Sequence, residues 1–165
     1  MSDDIYERIQ EGYIDLCVNG GEMRVSALCE RIDIIMSEFY QCYHDLDDLH
    51  TQMQRDIIRD MFKFVEASMT DGFDICVFID KSMEFMNAHS DRFDFFIDVD
   101  KDTKLNELWS NKLVKTLKKA TGSDDQLALE TLSNAVIGGM AYAYSNDVDD
   151  ISSLKNMASA LVAML

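Results

Sequence analysis

Apolar residues recur every three to four positions along almost the whole chain, and the interruptions fall on Gly, Asn, Asp and Ser. Ile5, Ile9, Tyr13, Leu16 and Cys17 predict a helix from about Asp3 to Val18, with Ser2 or Asp3 as its cap and Asn19-Gly20-Gly21 as its stop. Val25, Leu28 and Cys29 share one face of a short second helix, about Val25–Arg31. Ile32 and Asp33 break it, and Phe39, Tyr40 and Tyr43 supply the stripe of a third helix, about Ile35–Tyr43. Asp47 is expected to cap a fourth, which runs to about Thr70 with Leu49, Met53, Ile57, Ile58, Met61, Phe62 and Val65 on its apolar face. That helix is long enough to tie a small N-terminal bundle to the rest of the chain.

The second half repeats the pattern. Thr70-Asp71-Gly72 is a stop, and about Phe73–Ala88 is apolar over much of its circumference, which marks a buried central helix. A short helix, about Asp91–Ile97, carries Phe93, Phe95 and Phe96. Leu105, Leu108, Trp109, Leu113 and Leu117 define the next, about Thr103–Ala120. Two more helices complete the chain, about Asp125–Ser145 and Asp150–Leu165, separated at Asn146-Asp147. A chain of 165 residues with no Pro and only 7 Gly has few helix breakers, so the expectation is an all-α fold of about nine helices.

Charge changes the picture more than composition does. The net charge is −16, which repels nucleic acid and anionic membrane surfaces at long range. No apolar run of about 18 residues and no signal-peptide pattern is visible, so a cytoplasmic protein without a membrane span is expected. The four cysteines, Cys17, Cys29, Cys42 and Cys76, lie far apart with no C-x-x-C, which reads as reduced, buried thiols. Cys29, Cys42, His44 and His50 match no zinc spacing. Asp98-Val99-Asp100-Lys101-Asp102 opens like a calcium loop. Thr103 stands where that loop needs Gly, however, and Trp109 where it needs a bidentate Glu, so a solvated acidic linker is expected instead. No nucleophile motif, P-loop or H-E-x-x-H is present, and no catalytic residue, metal or cofactor is expected.

Two short helices joined by a turn of about three or four residues are the helix-turn-helix pattern. In Arg24–Leu49, RVSALCERIDIIMSEFYQCYHDLDDL, the sequence resembles the TetR family of one-component transcriptional regulators, whose pattern runs roughly T-V-x-x-I-A-E-R-A-G-V-S-x-G-T-F-Y-x-H-F-x-S-K-x-x-L. Val25, Glu30, Arg31, Phe39, Tyr40 and Leu49 match it without a gap, and Leu28, Ile34 and Tyr43 match conservatively. The resemblance implies an N-terminal three-helix domain over residues 1–48 and a helical ligand-binding and dimerisation domain over 49–165. It implies a homodimer that binds a palindromic operator and answers to a small-molecule effector. The last two long helices would pair with their copies, through Ala135, Gly138, Gly139, Tyr142, Leu154, Met157 and Leu161.

The helix-turn-helix departs from the family in one direction. Residues 1–50 carry three basic side chains against twelve acidic ones, a balance of −9. The family's helix-2 cap, usually Thr, is Arg24. The recognition-helix cap, usually Ser, is Ile35, and the next positions are Met36, Ser37 and Glu38. The family's Lys near the start of the fourth helix is Leu46. Arg24, Ser26, Ser37, Tyr40, Gln41 and His44 remain as candidate DNA contacts. Two readings stand: a working operator-binding regulator, or a TetR-like dimer that has lost direct DNA binding and acts through a protein partner or as a ligand sensor. For an effector, Met61, Phe64, Phe85, Met86, Trp109 and Tyr142 are the candidate lining, and the scarcity of basic groups points to an apolar or cationic molecule.

Overall fold

The computed structural model describes residues 3–100 and 103–165. Among them the chain forms nine α-helices and one π-helical segment, with no strand: α1 Asp3–Asn19, α2 Val25–Ile32, α3 Met36–Cys42, α4 Leu46–Ala67, α5 Ile75–Ala88, α6 Ser90–Asp94, the π segment Phe95–Asp100, α7 Thr103–Thr121, α8 Gln126–Ser145 and α9 Ser152–Val162. The protein is all-α. Ser2, one of the two expected caps of α1, and Lys101 and Asp102 of the calcium-like run lie outside the described residues. No described helix is long and apolar enough to cross a membrane.

The chain divides into two compact units, Met1–Asp56 and Ile57–Leu165. The division falls inside α4, beyond residue 48, because the first turns of α4 belong to the N-terminal core. Leu49 and Met53 are buried there, and the His50 ring meets Tyr13 of α1 edge-on.

In the first unit, α1 and the first part of α4 flank the pair α2–α3. Ile9, Leu28, Phe39 and Leu49 are fully buried, each worth roughly 1.5–3 kcal/mol relative to exposure. α1 and α2 approach so closely at Gly12 that a β-carbon there would collide with Ile32. Arg8 donates to the Ile32 carbonyl at 2.7 Å, which caps the end of α2 from outside. Asp33 ends α2 in the left-handed region at φ 53°, and the Ile34 N–H returns to the Cys29 carbonyl at 3.0 Å. Asp tolerates that conformation better than most residues, so the turn forms without the family's Gly. The expected cap of α4 is corrected. Asp45 accepts the Asp48 N–H at 2.8 Å, while Asp48 accepts the His44 N–H at 2.9 Å, so the helix starts before Asp47.

In the second unit, Asp74 caps α5 by accepting the N–H groups of Cys76 and Val77 at 2.8 and 3.3 Å. α5 packs on α8 and α9, and α7 packs along α8. Phe93 stands in an aromatic group, its ring centroid 6.3 Å from Phe85, 6.3 Å from Trp109 and 6.2 Å from Tyr144. The single helix expected at about Asp91–Ile97 is instead α6 running into the π segment. There the adjacent rings of Phe95 and Phe96 are both buried, 5.1 Å apart. Two hydrogen bonds from the end of α8 fasten it: Tyr144 to Asp94 at 2.6 Å and Ser145 to Asp98 at 3.0 Å. α9 is shorter than expected because Asp150 accepts the Ser152 N–H at 3.0 Å before the helix starts, and its end tightens into turns from Ala163 onward.

Candidate functional site

The outer side of α3 is apolar. Ile35, Met36 and Tyr40 are 65%, 50% and 56% exposed. Ser37, Gln41 and His44 stand exposed beside them, and Ser26 is half-buried on α2. The Glu38 side chain turns back toward the start of α3. Its carboxylate accepts the Ile35 N–H at 3.0 Å, the half of a capping box that the third helical residue supplies, while the Ile side chain can supply no cap of its own.

The three arginines of residues 1–50 are already engaged. Arg24 is paired with Glu22 at 2.6 Å, Arg31 with Asp15, and Arg8 with the Ile32 carbonyl. The Arg31 guanidinium, helped by the Asn19 amide, holds the Asp15 carboxyl below its ordinary value. At the N-terminus of α4, where a phosphate would gain from the helix dipole, the Asp45 carboxylate accepts the Asp48 N–H instead, and the Asp48 carboxylate, which accepts the His44 N–H, adds a second negative charge. Gln52 first, and then the His44 N–H, hold the Asp48 carboxyl below its ordinary value. The Asp15–Arg31 pair carries little sequence signal, since the two meet only when α1 packs on α2.

Cys29 is buried and Cys42 half-buried, and burial raises both thiols above their ordinary value. The two His50 nitrogens face Tyr13 Oη at 3.1 Å and Gln54 Nε2 at 3.0 Å. No cluster of three or more His, Cys, Asp or Glu among the described residues is arranged to hold a metal.

In the second unit, Met61, Met86 and Trp109 are fully buried and Phe85 is 7% exposed. Phe64 lies at the rim, its ring 5.6 Å from Phe85. Tyr142, expected in the effector lining, is on the surface, 67% exposed. It lies two residues from Tyr144, on the opposite side of α8 from the core, so it belongs to the outer face alone. The core of this unit also holds polar groups that no pattern announces. Ser110 donates to Asn134 at 3.0 Å between α7 and α8. The Ser82 and Ser133 hydroxyls and the Trp109 indole N–H are buried without a hydrogen-bond partner.

The seven residues expected at the α8–α9 interface separate into two sets. A β-carbon on Gly139 would lie 2.6 Å from Leu154 Cδ1, so these two pack within the chain. Gly138 faces open space, and Tyr142 and Met157 are exposed, with Ala135 and Leu161 half-buried. A groove of about 310 Å³ runs between α8 and α9, with Leu127, Leu132, Leu161 and Met164 among its walls. Leu127 and Met164 are 79% and 82% exposed, which extends the apolar face along both helices.

No protein-family model matches the chain, and no curated protein matches it. Among solved structures, the chain is similar to the fatty acid degradation regulator FadR from Bacillus halodurans. The TM-score is 0.65 at 12% identity, over 99% of this chain and 95% of that one. At that identity the likeness is one of fold.

Proposed function

We propose that this chain is a TetR-type regulator: a homodimer joined through α8 and α9, controlled by a small molecule held in the second unit, and acting through a protein partner at its helix-turn-helix. The observation that carries the last part is the surface of α3. Ile35, Met36 and Tyr40 are exposed where a DNA reader presents polar and basic groups, on a unit whose first 50 residues balance to −9. Phosphate neutralisation by Lys and Arg supplies most DNA affinity, and the three arginines of those residues face twelve acids, with Arg24 beside Glu22 and Arg31 beside Asp15. An apolar centre with a charged surround is the make-up of a protein–protein contact.

The family resemblance and the fold shared with a solved regulator favour a second reading, direct binding of a palindromic operator. Tyr40, Gln41, Ser37 and His44 are exposed on the same side as Met36 and suit it: Tyr40 can donate to phosphate, and Gln41 can read adenine. The homodimer rests on the uncovered apolar face of α8 and α9, and a cytoplasmic location accompanies either reading.

Fluorescence anisotropy with labelled DNA flanking the chain's own gene, titrated in salt from low ionic strength, separates the two. The partner reading expects no sequence-selective binding even at low salt. Selective binding that falls with salt would establish the operator reading instead, and its slope would count the phosphates contacted.

A further inference from the structure

The outer face of α3 is an apolar patch held in place by its own unit. Met36 and Tyr40 stand one helical turn apart, where β-carbons are about 5–6 Å from one another, and Ile35 directly precedes Met36. All three side chains are exposed. Phe39, on the inner side of the helix, is fully buried, and the Tyr40 ring meets it edge-on with the centroids 5.5 Å apart. The start of the helix is held as well, by the Glu38 carboxylate on the Ile35 N–H at 3.0 Å. A patch fixed in this way loses little further freedom on binding.

The surround of the patch carries one sign of charge. Between Ile32 and Gln54 the chain has no Lys or Arg and five acids: Asp33, Glu38, Asp45, Asp47 and Asp48. Asp33 is exposed in the turn before α3, and Asp45 and Asp47 are exposed just after it. Carboxylates therefore lie beyond both ends of the apolar patch. The exposed side chains beside it, Ser37 and Gln41, are neutral.

We infer that this face docks a basic amphipathic helix of another protein, with the apolar stripe of that helix on Ile35, Met36 and Tyr40 and its Lys or Arg side chains toward the acids at the two ends. The inference rests on the partner reading above and names the chemistry of that partner. Charge selects the occupant. Nucleic acid and an anionic membrane carry the same sign as the surround, and a second copy would set two units against each other whose first 50 residues each balance to −9. A basic helix reverses that repulsion: the apolar centre is desolvated on contact, and the charged rim chooses the partner. An added strand has no sheet edge to join, since no described residue is in a strand. A helix needs only anchors about one turn apart, and Met36 and Tyr40 have that spacing. Met repacks readily against a varied surface, and Tyr is a residue type in which binding energy concentrates.

The test is fluorescence anisotropy with the whole chain and two labelled synthetic helical peptides that share a Leu stripe, one with Lys and the other with Glu on the polar face. The Lys peptide should bind saturably, one per chain, and weaken as salt rises, with the Glu peptide weaker by roughly tenfold or more. Met36→Ser and Tyr40→Ser should each weaken the Lys peptide by roughly tenfold. Val18→Ser, at an exposed position of α1, should leave it unchanged. All three substitutions fall on exposed side chains, so the fold is retained. A Lys peptide indifferent to both α3 variants is bound elsewhere on the acidic surface and overturns the inference, as does the absence of saturable binding. A Glu peptide bound as tightly as the Lys peptide would overturn the basic class and leave an apolar partner face standing. The same titration with DNA flanking the chain's own gene separates the two levels. Selective binding of that DNA, lost in Tyr40→Ser, would overturn the partner reading and this inference with it. No DNA binding beside an indifferent Lys peptide would overturn this inference alone.

Discussion

Leu154 fills the space that a side chain on Gly139 would need. A β-carbon there would stand 2.6, 3.1 and 3.4 Å from Cδ1, Cδ2 and Cγ of the leucine, so the whole side chain would have to move and not its tip alone. Gly139→Ala is therefore expected to cost about 1–3 kcal/mol through overpacking. Gly138→Ala, facing open space one residue earlier, should be neutral or stabilise by up to about 1 kcal/mol from helix propensity. Urea denaturation of the two variants measures the contrast. Equal effects would mean that α8 and α9 do not pack as described.

The exposed neighbours on that face report on the dimer. Tyr142→Glu and Met157→Glu place charges on surface positions and should change stability within about 0.5 kcal/mol in the monomer. Under the proposed homodimer they halve the mass in solution, measured by light scattering on the wild type and both variants. A wild type of monomer mass at micromolar concentration would sink the dimer proposal.

Tyr144 predicts an alkaline limb. Burial, followed by the adjoining Asp94 that its hydroxyl serves as donor, pushes the phenol well above its ordinary value. The folded state therefore holds the proton more tightly than the unfolded chain. The resulting stability is fully present below about pH 10, the unfolded value, and is lost as pH rises beyond it. Tyr144→Phe should cost about 1 kcal/mol at neutral pH and should reduce the loss above pH 10, leaving the part that Tyr43, also raised by burial, contributes. A Tyr144→Phe profile parallel to the wild type at high pH would contradict the bond.

The acid limb has the opposite sign. Asp15 and Asp48 are held below their ordinary value, so their contribution is present above the normal carboxylate range and disappears as pH falls through their lowered values. Asp48→Asn and Asp15→Asn should each flatten the loss of stability on acidification, followed by the melting temperature between neutral pH and about pH 3.

Asp74 tests a cap in isolation. Its carboxylate accepts two terminal N–H groups of α5, and Asp74→Ala should cost about 1 kcal/mol. Asp74→Asn should recover most of it, since the amide oxygen can accept the same bonds. Denaturation of both variants checks the pair.

Helix positions were largely legible because the apolar stripes are regular. The stops at Gly20, Gly72 and Gly122 coincide with backbone at φ 75°, 102° and 73°, which L-residues avoid. Boundaries slipped where a side chain chose between neighbouring acids, as Asp45 did over Asp47. The π segment was not legible, since it arises from two adjacent Phe residues both finding cover. The candidate site was legible only in part. That Met36 and Ile35 replace polar residues could be read from the string of letters. That Arg31 pairs with Asp15 across two helices could not, and neither could the lack of partners for Ser82 and Ser133, because a serine inside a helix pattern looks like any other.

By itself, the sequence determined the class of fold, the order of the helices and the acidic character of the N-terminal unit. These arise from local periodicity, turn chemistry and charge, all of which are properties of neighbouring residues or of simple counting. The tertiary structure alone decided that Arg31 is neutralised by Asp15, which glycine of the Gly138-Gly139 pair is covered, and which buried donors lack a partner. Those outcomes depend on contacts between residues far apart in the chain, and hydrogen bonding and steric exclusion act at distances that only packing sets.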